Sequence, residues 1–134
     1  MLLFLSLFSF SSLQSQCDDV KGGTVTFIGG ATEMTITIDG QADMLSFATS
    51  VDATANGHDF TYVVTDDSGK ILGIPPGNMV DFDPAGLGTC LVYGLSYTGN
   101  LNITADDNLL AGQALSDDCF DLSSNVLNLS CTHY

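Results

Sequence analysis

The sequence is almost without cations. Lys21 and Lys70 stand against sixteen acids, arginine is absent, and the formal net charge is −14. Nucleic-acid binding needs lysine and arginine to neutralise phosphates, so no nucleic-acid partner is expected. Anionic membrane surfaces are disfavoured by the same charge. Tryptophan is missing, histidine occurs twice, and glutamate is confined to Glu33. A membrane helix needs about 20 apolar residues. The longest apolar stretch, residues 1–13, is shorter, so the chain is not expected to span a membrane.

What is present points to a folded domain. The chain has 134 residues with 45% hydrophobic content, too apolar for a disordered acidic tail and of a size for one domain. Residues 1–15 pair an apolar core with small polar residues, the pattern of a secretory signal peptide. No cation precedes that core. Cleavage after Ser15 leaves a domain of residues 16–134, expected to be secreted and to stay extracellular or at the cell surface. The last expected strand stops three residues from the end, so no appended anchoring domain is expected.

Export implies an oxidising compartment, where disulfides persist. Cys17, Cys90, Cys119 and Cys131 allow three connectivities. None of the four has the short Cys-x2-4-Cys spacing of a zinc knuckle. Sandwich termini often lie near each other, which favours Cys17–Cys131 together with Cys90–Cys119.

Alternation with period two recurs along the chain, and helical periodicity hardly appears. Thr24–Ile28 sets Val25 and Phe27 on one face. Glu33–Ile38 sets Met34, Ile36 and Ile38 inward and Glu33, Thr35 and Thr37 outward. Leu45 and Phe47 mark a third strand, Phe60–Thr65 a fourth, and Lys70–Ile74 a short fifth. Cys90–Tyr97 is the longest apolar run after the leader and reads as a central strand. Asn125–Cys131 is the last, with Leu127, Leu129 and Cys131 on one face. Residues 106–112 read as one helical turn around Leu109 and Leu110. Turn signals fall at Asp39-Gly40, Asn56-Gly57, Asp66–Gly69 and Pro75–Asn78. Seven to eight short strands with frequent turns predict an all-β protein, an immunoglobulin-like antiparallel β-sandwich. Ile36, Ile38, Phe60, Tyr62, Val64, Val92 and Leu127 are its expected core, with the Thr, Ser and Asn face of each strand in water. The uncharged strands Thr24–Ile28 and Asn125–Cys131 are the expected open edges for exchange with a neighbour.

Three motifs occur in order: Phe-Thr-Tyr-Val-Val-Thr-Asp-Asp-Ser-Gly-Lys-Ile-Leu-Gly at 60–73, Gly-Leu-Gly-Thr-Cys-Leu-Val-Tyr-Gly-Leu-Ser-Tyr-Thr-Gly-Asn-Leu at 86–101, and Cys-Phe-Asp-Leu-Ser-Ser-Asn at 119–125. Together they resemble a module repeated in large secreted and cell-surface proteins of Bacteroidetes-type marine bacteria. The resemblance covers most of residues 17–131. It implies an extracellular β-rich module without an assigned enzymatic activity. In that family a Cys often precedes the Asp-Gly of the second strand. Here Thr37 stands near that place and Cys131 ends the last strand, which implies a re-paired disulfide.

The acids cluster in turns. Asp39 with Asp43 and Asp81 with Asp83 have a spacing that suits calcium, which takes six to eight oxygens. The plainer account of such residues is a solvated turn, where Asp bonds to its own backbone. Catalysis has little support. His58 sits in the Asn56–Asp59 turn and His133 in the terminal tail, both expected as exposed polar residues away from any nucleophile motif. Tyr93 and Tyr97 share a face of the central strand and read as core. Asn102 and Asn128 open glycosylation sequons by letter only. The expectation is a non-enzymatic exported structural or interaction protein, a cell-surface or extracellular-fibre subunit, self-associating by edge strands or meeting a surface partner or glycan. The alternative is a calcium-dependent carbohydrate-binding or adhesion module. No cofactor is expected beyond calcium.

Overall fold

A computed structural model describes residues 17–133. The expected signal peptide lies outside the described residues. Nine strands occur among them: β1 (Val25–Phe27), β2 (Glu33–Ile38), β3 (Met44–Thr49), β4 (Asp59–Asp66), β5 (Ile71–Gly73), β6 (Met79–Asp81), β7 (Gly88–Tyr97), β8 (Phe120–Leu122) and β9 (Leu127–His133). One short helix, α1 (Ala53–Asn56), precedes β4, and a 3-10 turn, Asp83–Ala85, follows β6.

The strands form two sheets packed as a sandwich. One has the order β1-β3-β6, the other β2-β9-β7-β4-β5, with β8 on the end of β7. The neighbours β4-β7-β9 and β1-β3-β6 correspond to the C-F-G and A-B-E groupings of an immunoglobulin sandwich. The all-β sandwich expected from alternation is therefore present. It is not wholly antiparallel, because β2 runs parallel to β9 from Glu33↔Asn128 to Ile38↔His133. Gly29 and Gly30, at φ 104° and 97°, take a conformation costly for other residues and turn the chain off β1 before β2 joins the opposite sheet.

β9 is consequently an inner strand, between β2 and β7, and not the open edge expected of it. β1 does end its sheet, but its outer side is closed. Asn125 Oδ1 accepts the Val25 N–H at 2.8 Å, and Asn125 Nδ2 donates to the Val25 carbonyl at 2.7 Å. Both strands expected to be free for exchange are thus occupied.

The core between the sheets centres on Phe47. Its ring lies 6.0 Å from Phe27, 5.1 Å from Tyr62 and 6.1 Å from Phe82. Val25, Val64, Val92, Leu127 and Leu129 complete the buried cluster, and Met34, Ile36, Ile38 and Phe60 pack against it half-buried. Gly94 in β7 leaves room for this packing, since a Cβ there would meet Phe60 and Val25 at 2.8 Å.

A second apolar layer lies on the far face of β4 and β7. Val63, Ile71 and Leu95 are covered by Ile103, Leu109 and Leu115. Residues 98–119 fold back over the sheet as an irregular cover. This explains why Tyr62, Val63, Val64 and Thr65 are all buried: β4 has two dry faces, and its Thr65 is not on the expected wet side. The helical turn expected at 106–112 does not form. Asp106 N–H donates to the Ile71 carbonyl, the Asp107 carbonyl accepts from Ile71, and Leu109 N–H donates to Gly69. These groups are committed to the β5 region, and Asp106 sits at φ 77°.

Cys17 is bonded to Cys119, which ties the start of the described chain to the end of that cover. The expected pairs Cys17–Cys131 and Cys90–Cys119 are therefore both wrong. The long segment after β7 carries Cys119 back to Cys17, while Cys90 and Cys131 carry free thiols in this structure and are buried in the sandwich core. Among the described residues no helix is long and apolar enough to cross a membrane.

Candidate metal centre

Antiparallel pairing sets Met44 of β3 opposite Asp81 of β6, so Asp43 lies beside the segment that leaves β6. The turn between β2 and β3 carries Asp39 to the same place. Asp39, Asp43 and Asp83 each offer a carboxylate oxygen, and these oxygens all lie within 4.8 Å of one another. Calcium–oxygen distances are about 2.3–2.6 Å, so three oxygens with this spread fit around one such ion.

Backbone amides hold the carboxylates in place. Asp83 Oδ1 accepts the N–H groups of Asp39 at 3.1 Å and Gly40 at 3.2 Å. Asp81 Oδ1 accepts those of Asp43 at 2.8 Å and Asp83 at 3.0 Å. Asp39 Oδ1 accepts from Gln41. Of the four acids read from the sequence, three converge as candidate ligands. Asp81 has a different role: it fixes the backbone that presents Asp43 and Asp83.

Asp43 Oδ2 is shielded from water and has no hydrogen-bond partner among the described residues. Burial pushes the Asp43 carboxyl above its ordinary range, and the negative charges of Asp39, Asp83 and Asp81 push it the same way. A divalent cation would reverse both effects, supplying charge and a partner together.

The other acidic turns behave as plain turns. Asp66 Oδ1 accepts from Ser68 N, Ser68 Oγ and Lys70 N, which holds its carboxyl below the usual range and clasps the β4–β5 turn. Asp107 Oδ2 accepts from Thr104 N–H. Lys70 reaches Asp106 at 3.4 Å, an exposed pair of little energetic weight. His58, expected to be exposed, is buried, with Nδ1 3.0 Å from the Asp59 carbonyl. Tyr93 and Tyr97 pack against the second apolar layer, as expected of core residues.

β6 and the segment after it also line a groove. Val80, Asp81, Phe82 and Pro84 face Val64, Leu72 and Ile74 across an open cavity of about 470 Å³. Among the described residues β5 and β6 each end a sheet beside this groove, but Ile71 at the start of β5 already exchanges main-chain bonds with Asp106 and Asp107. Sequence reasoning did not find it. Its nearest signal was the Pro75-Pro76 pair, which stops β5 early and carries the chain away before β6 begins.

The chain matches no family model, no curated protein and no solved structure.

Proposed function

We propose that the protein is an exported, non-catalytic interaction module, a structural subunit of the cell surface or of an extracellular fibre. The observation that carries this reading is the open side of the sandwich. There β6 ends its sheet beside an apolar groove, across from the part of β5 beyond Ile71, and Leu72 and Met79 are exposed beside it. An extended strand from a second copy can add there, with main-chain hydrogen bonds for affinity and the groove for side chains. Joining two different surfaces of identical copies builds a filament where the rotation does not close into a ring. The three ordered motifs that resemble those of secreted bacterial modules fall on β4–β5, β7 and β8, and this resemblance supports an extracellular setting. A charge of −14 opposes association until salt screens it. Light scattering of residues 16–134 in seawater-like salt tests the reading. Association is expected, and Leu72→Asp is expected to remove it. A monodisperse single-chain species in that salt overturns the fibre form.

A second reading, a calcium-dependent adhesion module, is favoured by the convergence of Asp39, Asp43 and Asp83. Of the exposed large apolar side chains among the described residues, Phe120 alone is aromatic, so adhesion to protein is better supported than binding to sugar. Calcium at constant ionic strength is expected to raise the melting temperature of the parent chain and to leave that of Asp43→Asn unchanged. A parent chain indifferent to calcium rules the reading out.

A further inference from the structure

β7 and β9 bring together two cysteines that lie 41 residues apart in the sequence. The register sets Cys90 opposite Leu129 and Cys131 opposite Gly88, so the two cysteines are diagonal neighbours on adjacent antiparallel strands. Both side chains point into the same apolar core, each about 4% exposed. Each thiol is close enough to shift the titration of the other.

Diagonal neighbours are roughly 7–8 Å apart at Cα, so a disulfide between them requires the two strands to draw slightly together. Opposite Cys131 stands Gly88, which has no side chain to obstruct that approach and has open space around it. With Cys17 bonded to Cys119, one connectivity alone leaves no thiol unpaired. We infer that Cys90 and Cys131 close a second disulfide, a staple across β7 and β9 inside the sandwich.

The oxidant is a low-molecular-weight disulfide such as oxidised glutathione. A Cys90 or Cys131 thiolate attacks one of its sulfurs and releases one glutathione thiol, leaving a mixed disulfide. The other cysteine thiolate then displaces the second glutathione thiol. One Sγ–Sγ bond forms and one glutathione S–S bond breaks. Two electrons pass from the protein to the glutathione pair, and the two cysteine protons end on the two released thiols. Burial pushes the Cys90 thiol up to about 11, so few thiolates exist once the core has closed. The staple therefore forms while β7 and β9 are still open to solvent, before Phe47 and its neighbours pack over it.

The inference is independent of the docking and calcium readings and is tested on the parent chain. Fully reduced, unfolded full-length chain is refolded with reduced and oxidised glutathione, then alkylated with iodoacetamide in denaturant. Cleavage before aspartate, at Asp18, Asp83, Asp106, Asp118 and Asp121 among others, places the four cysteines on separate peptides. The expected result is two linked pairs, Cys17 with Cys119 and Cys90 with Cys131, no alkylated cysteine, and an intact mass lower by two hydrogens than that of a singly bonded chain. Alkylated Cys90 and Cys131 beside an intact Cys17–Cys119 pair overturns it. So does a link from Cys90 to any other cysteine.

Discussion

The amide of Asn125 satisfies both main-chain groups of Val25, accepting from its N–H at 2.8 Å and donating to its carbonyl at 2.7 Å. One side chain thus does for β1 what a further strand would do. It closes an edge that is otherwise open and apolar, in a chain with almost no lysine to guard it.

Asn125→Ala leaves the two main-chain groups of Val25 without these partners. The expected cost is about 1–3 kcal/mol in denaturant unfolding. Light scattering should also show increased association through the freed edge. A variant with unaltered stability and an unaltered association state would show that the edge is closed by other means.

Asp43 has a carboxyl raised above its unfolded value by burial and by Asp39, Asp83 and Asp81. A folded-state value above the unfolded one means that the folded chain holds the proton more tightly. Its contribution to stability is then fully present below the unfolded value of 3.8 and is lost as pH rises through the raised value. Asp66, lowered by its bonds to Ser68 and Lys70, has the opposite sign: its stabilisation is present above 3.8 and is lost as pH falls through the lowered value. Melting curves of Asp43→Asn and Asp66→Asn against the parent chain, in chelator and between pH 3 and 7, check both signs. The Asp43 variant should gain on the parent as pH rises, and the Asp66 variant should lose ground.

Leu109 packs the irregular cover onto Val63 and Leu95. Leu109→Ala is expected to cost about 2–5 kcal/mol, as for other buried leucines. Hydrogen exchange should quicken first across residues 98–119, while the amides of β9 stay protected. Uniform loss of protection would mean that cover and sandwich unfold as one unit.

The Cys17–Cys119 bond spans 102 residues. The chain-entropy account gives a bond closing a loop of that length about 4.7 kcal/mol, and measured losses for native disulfides run at about 2–5 kcal/mol. Cys17→Ser with Cys119→Ser should lower the denaturant midpoint accordingly. A midpoint unchanged by the double substitution would show that the cover is held by its apolar contacts alone.

The strands were legible wherever alternation met a single wet face. In β2 the half-buried Met34, Ile36 and Ile38 alternate with exposed Glu33, Thr35 and Thr37 as read, and in β9 Leu127, Leu129 and Cys131 are buried in turn. The reading failed where a strand has two dry faces. Val63 and Thr65 alternate correctly with Tyr62 and Val64, but periodicity cannot say that residues 98–119 will cover the second face. Nor can it reveal the parallel partner of β2, since parallel and antiparallel neighbours share one side-chain period. The acidic cluster was legible because its two halves lie next to paired strands, at Asp43 before β3 and Asp81 at the end of β6. The disulfide was not, because the pairing depends on where an irregular segment of more than twenty residues returns.

That long-range bond also imposes an order in time. Cys17 is made 102 residues ahead of its partner, which at ~5–20 residues per second is a wait of about 5–20 s with the thiol exposed. Cys90 arrives during that wait, before Cys119 exists. A nascent chain therefore meets a wrong partner first. Pairing of β7 with β4, which sets Cys90 opposite Asp66, holds Cys90 in place away from Cys17, so the pace at which β4 and β7 pair should decide how much of the protein is correctly joined.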